Sequence, residues 1–275
     1  MTSSSYDSES ARKMLGPFYA ELARATEDVA TARGYTLVVV NTNAADIVTH
    51  IQGLASRQVH GVLIASDLST PEILGLRAAG IRLSLLNQLN PAAHGGGVGS
   101  DLLTGTRAGV AHLIEHGHTR IAFVGELLNA DERLLGWQSE LLSAGLSPHL
   151  RFGAEYSRAA GYRAGRAMLA NAEQPTAVFV SSDMQAVGVL RAMHEGGVAV
   201  PGDMAIVSLD GSPESEYSWP ALTTLRQPVQ EMAVAAVAYL LGDVPVTADH
   251  LRYPLELIIR QSCGCPLVVE TGPAR

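Results

Sequence analysis

The chain has 275 residues, which is enough for one large domain or for two smaller lobes with cores of their own. Its net charge of −8 argues against a basic surface for nucleic acid on this chain. No apolar run reaches the roughly 18 to 20 residues of a membrane-spanning helix, and the polar start lacks the apolar core of a secretion signal. We therefore expect a cytoplasmic protein with no membrane partner.

Short apolar runs and helical patterns alternate along the chain. Continuous rather than alternating hydrophobicity is typical of parallel strands covered on both faces. The predicted strands are Leu37–Val40, Gly61–Ile64, Ile81–Leu86, Ile121–Val124, Ala177–Val180 and Ala205–Val207. The predicted helices cover residues 18–33, 46–57, 71–79, 102–116, 132–144, 158–170, 184–195 and 229–241. This order predicts an α/β fold with parallel sheets and right-handed crossovers.

Polar residues follow the predicted strands. They are Asn41-Thr42, Ser66-Asp67, Asn87-Gln88, Ser181-Ser182-Asp183 and Ser208-Leu-Asp210. Ligands of open parallel sheets bind beyond the carboxyl ends of the strands, so these positions indicate a polar cleft for a small hydrophilic molecule. The alternative is that such residues form turns and helix caps, and Asp183 could cap the helix after it.

The segment His112-Leu-Ile-Glu115-His116 matches the H-x-x-E-H pattern of one class of zinc peptidases. Two histidines four residues apart share one helix face. However, Gly117 ends the helix at once, no downstream helix offers a convincing acidic ligand, and histidines are also favoured in a last helical turn by the helix dipole. A zinc peptidase is therefore the less favoured alternative, and we expect neither an enzyme nor a metal site.

Cys263 and Cys265 are the only cysteines of the chain. Two thiols one residue apart cannot build a four-ligand zinc site alone and make a poor disulfide framework. We expect ordinary free thiols, which fit a reducing compartment.

Several longer motifs keep a common order and spacing from about residue 17 to residue 266. They include Gly105-x-x-x-Gly109-x-x-His112-Leu-Ile-x-x-Gly117-His118-x-Arg120, Arg133-Leu-Leu-Gly136-Trp137, Pro175-Thr-Ala followed by Ser182-Asp183, Val200-Pro-Gly-Asp203, Pro220-Ala-Leu-Thr-Thr-Leu-Arg-Gln227-Pro and Leu257-Ile-Ile-Arg260-Gln-Ser262. This arrangement resembles the LacI/GalR family of transcriptional regulators.

The resemblance implies a periplasmic-binding-protein-like fold of type I, with two Rossmann-like lobes joined by three crossovers and an effector cleft between them. It places residues 1–118 and about 228–248 in the N-terminal lobe, 119–227 and about 249–266 in the C-terminal lobe, and 267–275 in a tail. Effector binding would close the lobes and so regulate transcription. The resemblance further implies a homodimer and no cofactor.

The start of the chain departs from the family pattern. A helix-turn-helix headpiece and the first strand of the N-terminal lobe cannot be recognised, and residues 1–16 are not expected to replace that strand. DNA binding is thus expected only if a headpiece lies upstream of the given start. A transport-type sugar-binding protein of the same fold is the alternative, and it would require a secretion signal.

The family's effector residues correspond to Arg133, Asp183 and Asp210 in this sequence. Arginine offers a rigid fork of donors, and carboxylates accept strong hydrogen bonds from hydroxyl and ring N–H groups. The effector is therefore expected to be a sugar or polyol, with a nucleobase next. The aspartates could instead form a glycosidase-like pair, a less favoured alternative.

Five further positions complete the predicted binding site, and the three aromatic ones have a simpler alternative. They are Phe18 and Tyr19 for stacking on a ring, Ser182 where the family usually has asparagine, Gln227 beside the last crossover, and Trp219 at the rim. The two aromatic residues at the start of the first helix could pack in a core instead, and the tryptophan could anchor a loop.

Overall fold

The computed structural model describes residues 16–40, 46–55, 59–65, 68–87, 97–244 and 250–265. The chain forms two compact units. Unit 1 comprises Met1–Asp101 and Pro228–Pro254, and unit 2 comprises Leu102–Gln227 and Leu255–Arg275. The chain passes from one unit to the other at three points, the number of crossovers that the resemblance implies.

Helices and strands alternate in both units. Up to the first crossing they are α1 (Pro17–Ala32), α2 (Ile47–Ala55), β1 (Val62–Ile64), α3 (Thr70–Ala78), β2 (Leu83–Leu86) and β3 (Gly97–Ser100). Next come α4 (Leu102–Glu115), β4 (Ile121–Gly125), α5 (Glu132–Ser143), β5 (Arg151–Gly153), α6 (Arg158–Leu169), β6 (Ala177–Val180), α7 (Asp183–Glu195), β7 (Ala205–Asp210), α8 (Pro213–Tyr217) and β8 (Thr223–Arg226). The last are α9 (Val229–Leu241), β9 (Leu251–Tyr253), β10 (Glu256–Ile258) and a 3₁₀ helix (Gln261–Cys263). The helical segments of the sequence are found within two residues of their predicted ends.

Unit 1 contains a parallel sheet with the strand order β1-β2-β3-β9. Every residue of β2 is buried, as expected of a strand covered on both faces. Helices α1 and α9 pack together through Phe18 and Leu22 of the first and Met232 and Tyr239 of the second. The core of this unit therefore joins residues from both ends of the chain.

The predicted strand Leu37–Val40 is wrong: residues 35–40 have no regular secondary structure. Val38 and Val39 are 74% and 57% exposed, and β1 is the edge of the sheet that the described residues form. A strand requires a hydrogen-bonded neighbour, and no described strand pairs with this segment. The segment instead lines a largely apolar cavity of about 740 Å³ together with α1, α2, β1 and α9. Residues 1–15 and the strand-end positions 41, 42, 66, 67 and 88 lie outside the described residues.

Unit 2 contains a six-stranded sheet in the order β10-β8-β7-β6-β4-β5. All its pairs are parallel except that of β10 with β8. Alternate residues of the central strands enter two separate cores: Val178 and Val180 pack with helices α6 and α7, whereas Phe179 packs with α4 and α5. The predicted α/β fold with parallel sheets is confirmed.

Helix α4 belongs to unit 2, although the sequence places the boundary after residue 118. It packs on α5 and on β7, β8 and β10 of this unit. Glycines allow the approach: a Cβ at Gly109 would lie 3.1 Å from the side chain of Leu225, and one at Gly136 would lie 2.7 Å from the carbonyl oxygen of Leu103. A Cβ at Gly105 would likewise meet Leu255 at 2.8 Å, so the chain rejoins unit 2 at this leucine rather than near 249.

Three helices of unit 2 begin at a residue whose side chain accepts a backbone N–H. They are α5 at Asp131, α6 at Ser157 and α7 at Ser182. Such caps satisfy N–H groups that have no partner within the helix. Among the described helices, none is long and apolar enough to span a membrane.

Candidate functional site

Asp183 is fully buried at the first residue of α7, and hydrogen bonds from within unit 2 occupy its carboxylate. Ser208 Oγ and Thr224 Oγ1 donate to Oδ1 at 2.6 and 2.7 Å. The backbone nitrogen and Oγ of Ser212 donate to Oδ2 at 2.7 and 2.9 Å. Burial raises the pKa of Asp183 above its ordinary value, and these donors oppose the rise. The carboxylate thus ties α7 to β7, to β8 and to the start of α8.

Ser182 and Gln185 form a second buried group beside it. Ser182 caps α7 by accepting the backbone N–H of Gln185, and its hydroxyl donates to Oε1 of the same glutamine at 2.9 Å. The Gln185 amide in turn donates to the carbonyl oxygens of Ala154 and Glu155 at 2.9 and 3.0 Å. Ser182, where the family usually has asparagine, therefore supports the loop that carries Tyr156.

Asp210 ends β7 and is half-buried, with a φ of 127°. Such a backbone conformation is rare outside glycine and clusters at functional sites. The Gln227 Nε2 donates to Oδ1 of Asp210 at 2.9 Å. Burial and the charge of Asp183 raise the pKa of Asp210 well above its usual value, and Gln227 and Arg133 oppose that rise. Gln227 therefore contacts Asp210, and Arg133 lies close enough to interact electrostatically with the Asp210 carboxylate.

Arg133 is held in place by Asp131, the cap of α5. Asp131 Oδ1 accepts from the backbone nitrogen and Nε of Arg133 at 2.8 and 3.0 Å, and Oδ2 accepts from Nη2 at 3.1 Å. The arginine side chain is 15% exposed and the aspartate side chain 2% exposed. A fork of this kind fixes a guanidinium in one orientation.

Tyr156 completes this group from the loop after β5. The guanidinium carbon of Arg133 lies 4.9 Å from the centre of the Tyr156 ring, and the phenol donates to Asp131 Oδ2 at 3.5 Å. Burial raises the pKa of Tyr156 well above its usual value despite the nearby arginine. The charges of Glu126 and Asp210 add to that rise, so the phenol stays protonated and can donate.

The sequence alone did not identify Asp131 or Tyr156. Asp131 carried a usable signal, because an aspartate directly before a predicted helix is a common cap. Tyr156 carried none, because it lies in a loop without a pattern.

The remaining predicted residues are Phe18 and Tyr19 of unit 1 and Trp219 of unit 2. Phe18 is 7% exposed within the core of unit 1, in edge contact with Tyr19 at a centroid distance of 5.0 Å. Trp219 is 87% exposed on unit 2, next to Pro220. Packing in a core therefore accounts for Phe18 without a ligand, which is the simpler of its two interpretations.

Together, these contacts gather a fixed cation, an aromatic face and a half-buried carboxylate in the loops after β4 and β5 and at the carboxyl end of β7. Such a group can hold several oxygen atoms of a small ring by charge-assisted hydrogen bonds while the aromatic face covers its apolar side.

Comparisons with known proteins agree with this fold. Residues 110–263 match the family described as periplasmic binding protein-like domain. The HTH-type transcriptional repressor PurR of Pectobacterium atrosepticum is 30% identical over 240 residues, which are 83% of this chain and 70% of that protein.

Two solved structures are similar over most of both chains. The transcriptional regulator CelR in complex with cellobiose has a TM-score of 0.81 and 29% identity, covering 92% of this chain and 82% of the other. The lac repressor dimer bound to operator and the anti-inducer ONPF has a TM-score of 0.82 and 25% identity, covering 90% of each. The relatives are transcriptional regulators rather than enzymes. This chain belongs to the LacI family of transcriptional regulators and carries the periplasmic binding protein-like domain of that family.

Proposed function

We propose that unit 2 binds a sugar or a related polyol through Arg133, Asp210 and Tyr156, and that this effector controls transcription. The observation that carries the proposal is the Asp131–Arg133 pair beneath the Tyr156 ring. Asp131 occupies two of the five N–H groups of the guanidinium, Nε and one on Nη2. The other donors of the same group can bind effector hydroxyls without any reorientation of the arginine.

Asp210 is the acceptor in this proposal. Its side chain is half-buried at the end of β7, and its unusual backbone conformation holds the carboxylate in a defined position. Sugar hydroxyls donate strongly to such a group, and the C–H face of a sugar packs well on an aromatic ring like that of Tyr156.

Asp183 and Ser182 have a supporting role in this proposal rather than the ligand contacts that the sequence predicts. The four donors to the Asp183 carboxylate all come from the chain itself. The hydrogen bonds from Ser208 and Ser212 fix the chain on both sides of Asp210. Ser182 orients Gln185, which in turn donates to the loop that carries Tyr156. The relative bound to cellobiose supports a sugar as the effector class.

A thermal-shift screen across monosaccharides and disaccharides tests the proposal. We expect at least one sugar to raise the melting temperature of the wild type, and Asp210→Ala to remove that rise while leaving the unliganded melting temperature nearly unchanged. Glu216→Gln is the matched control, because Glu216 is an exposed carboxylate of the same unit. Equal stabilisation of the wild type and Asp210→Ala would contradict the assigned site.

A nucleobase such as a purine is the second candidate effector. A carboxylate, an arginine and an aromatic face also suit a nucleobase, which offers ring N–H groups and a flat surface. Hypoxanthine and guanine in the same screen separate the two candidates. We also propose that the chain forms a homodimer, as the related lac repressor does, which light scattering on the purified protein measures.

A further inference from the structure

Three side chains with metal-binding atoms meet at the end of α4, away from the group around Arg133. His112 lies in the last turn of that helix and His116 directly follows its last residue, with ring centres 4.6 Å apart. The sulfur of Cys265 lies 3.1 Å from Nε2 of His116 and 3.6 Å from Nε2 of His112. The donor atoms of the three residues all lie within 4.8 Å of one another.

The fold brings the cysteine to the helix by two local features. Ser262 anchors the 3₁₀ helix, because its hydroxyl donates to the carbonyl oxygen of Ile206 at 2.6 Å and accepts the N–H of Thr223 at 2.8 Å. Gly264 then has a φ of 85°, a conformation that glycine adopts freely. Cys263 consequently enters the core, 2% exposed, while Cys265 is directed to the two histidines.

We propose that His112, His116 and Cys265 form a binding site for zinc or a similar borderline-soft divalent ion. Zn²⁺ takes nitrogen at about 2.0–2.1 Å and sulfur at about 2.3 Å in a tetrahedron, which sets the sulfur and nitrogen atoms about 3.5 Å apart. The two sulfur–nitrogen distances lie on either side of this value, so coordination requires only small side-chain rotations. A thiolate with two imidazoles selects against Ca²⁺ and Mg²⁺, which prefer oxygen ligands.

The site differs from the peptidase that the H-x-x-E-H pattern indicates. Its third ligand is a sulfur near the C-terminal end of the described chain rather than a carboxylate of a later helix. Glu115, the general base of that pattern, is exposed and is not part of the cluster. The ion therefore connects α4 to the segment after β10, and its fourth position is open to water.

Cobalt titration tests the proposal, because Co²⁺ replaces Zn²⁺ and is coloured. Under a phosphine reductant, one equivalent of Co²⁺ per chain should produce a thiolate-to-cobalt charge-transfer band and the visible bands of a tetrahedral ion. One equivalent of Zn²⁺ should abolish both. Cys265→Ser should remove the charge-transfer band, and His116→Gln should weaken binding by at least about tenfold.

His118→Gln is the matched control. His118 lies on the same segment, but its Nδ1 is 3.0 Å from Oγ1 of Thr176 and it is not a member of the cluster. This variant should bind cobalt as the wild type does, and circular dichroism checks that each variant is folded. The assignment would be overturned if the wild type showed no charge-transfer band or if the band persisted in Cys265→Ser. It would also be overturned if Cys263→Ser lost the band while Cys265→Ser kept it.

Discussion

The guanidinium of Arg133 and the carboxylate of Asp131 form a two-bond fork, with Nε and Nη2 donating at 3.0 and 3.1 Å. The same carboxylate caps helix α5 by accepting the backbone N–H of Arg133 at 2.8 Å. The side chain of Asp131 thus caps helix α5 and fixes the orientation of Arg133, the second residue of that helix. Mutation of Asp131 can therefore separate the contribution of the helix cap to stability from that of the ion pair.

Asp131→Asn should keep the cap and lose the charge, because asparagine caps helices as well as aspartate does. We expect a loss of about 1–3 kcal/mol in the free energy of unfolding from the weakened ion pair. Asp131→Ala should cost about 1 kcal/mol more, since the cap is also lost. Urea unfolding of both variants measures the difference, and equal losses would show that the cap contributes nothing.

Asp183→Asn should destabilise the protein by about 2–4 kcal/mol, because an amide group replaces an oxygen atom that accepts buried hydrogen bonds. Asp210→Asn should lower the free energy of unfolding by no more than about 1 kcal/mol, since its carboxylate is half-buried and has fewer partners. Denaturant unfolding compares the two variants. A larger loss of unfolding free energy for Asp210→Asn than for Asp183→Asn would contradict the structural role given to Asp183.

The pKa of Asp210 in the folded protein is raised, first by burial and then by the charge of Asp183. The folded state therefore holds this proton more tightly than the unfolded state, so Asp210 lowers stability progressively as pH rises from about 4 through its folded pKa. Asp210→Asn removes this effect.

The melting temperature of Asp210→Asn minus that of the wild type should thus grow as pH rises above about 4. Glu216→Gln, which removes an exposed carboxylate of the same unit, is measured beside it as the control. A difference that stays flat or shrinks for Asp210→Asn would contradict the raised pKa.

Gly161→Ala should destabilise the protein although alanine is the better helix former. An added Cβ at Gly161 would lie 2.1 Å from the carbonyl oxygen of Gln185, where α6 packs on α7. We expect a loss of about 1–3 kcal/mol. Gly75→Ala in α3 is the control, because its Cβ would meet nothing within 4 Å and should add up to about 1 kcal/mol. Thermal melts of both variants should shift in opposite directions.

Most of the helices and strands could be predicted from the sequence, and the family resemblance implied the division into two units. Hydrophobic periodicity, caps and glycine stops are local signals, so α1 to α7, α9 and the central strands could be located from neighbouring residues alone. Arg133 and Asp210 were also accessible, since both lie in motifs with regular spacing.

The contacts that the site residues make could be read only from the folded structure. Four hydrogen bonds to Asp183 come from Ser208, Ser212 and Thr224, which are 25 to 41 positions away. Cys265 lies 149 positions from His116. Leu37–Val40 has the composition of a strand, yet no described strand pairs with it. Hydrogen bonds, pKa shifts and strand pairing depend on which distant residues the fold brings within a few ångströms, and no local pattern contains that information.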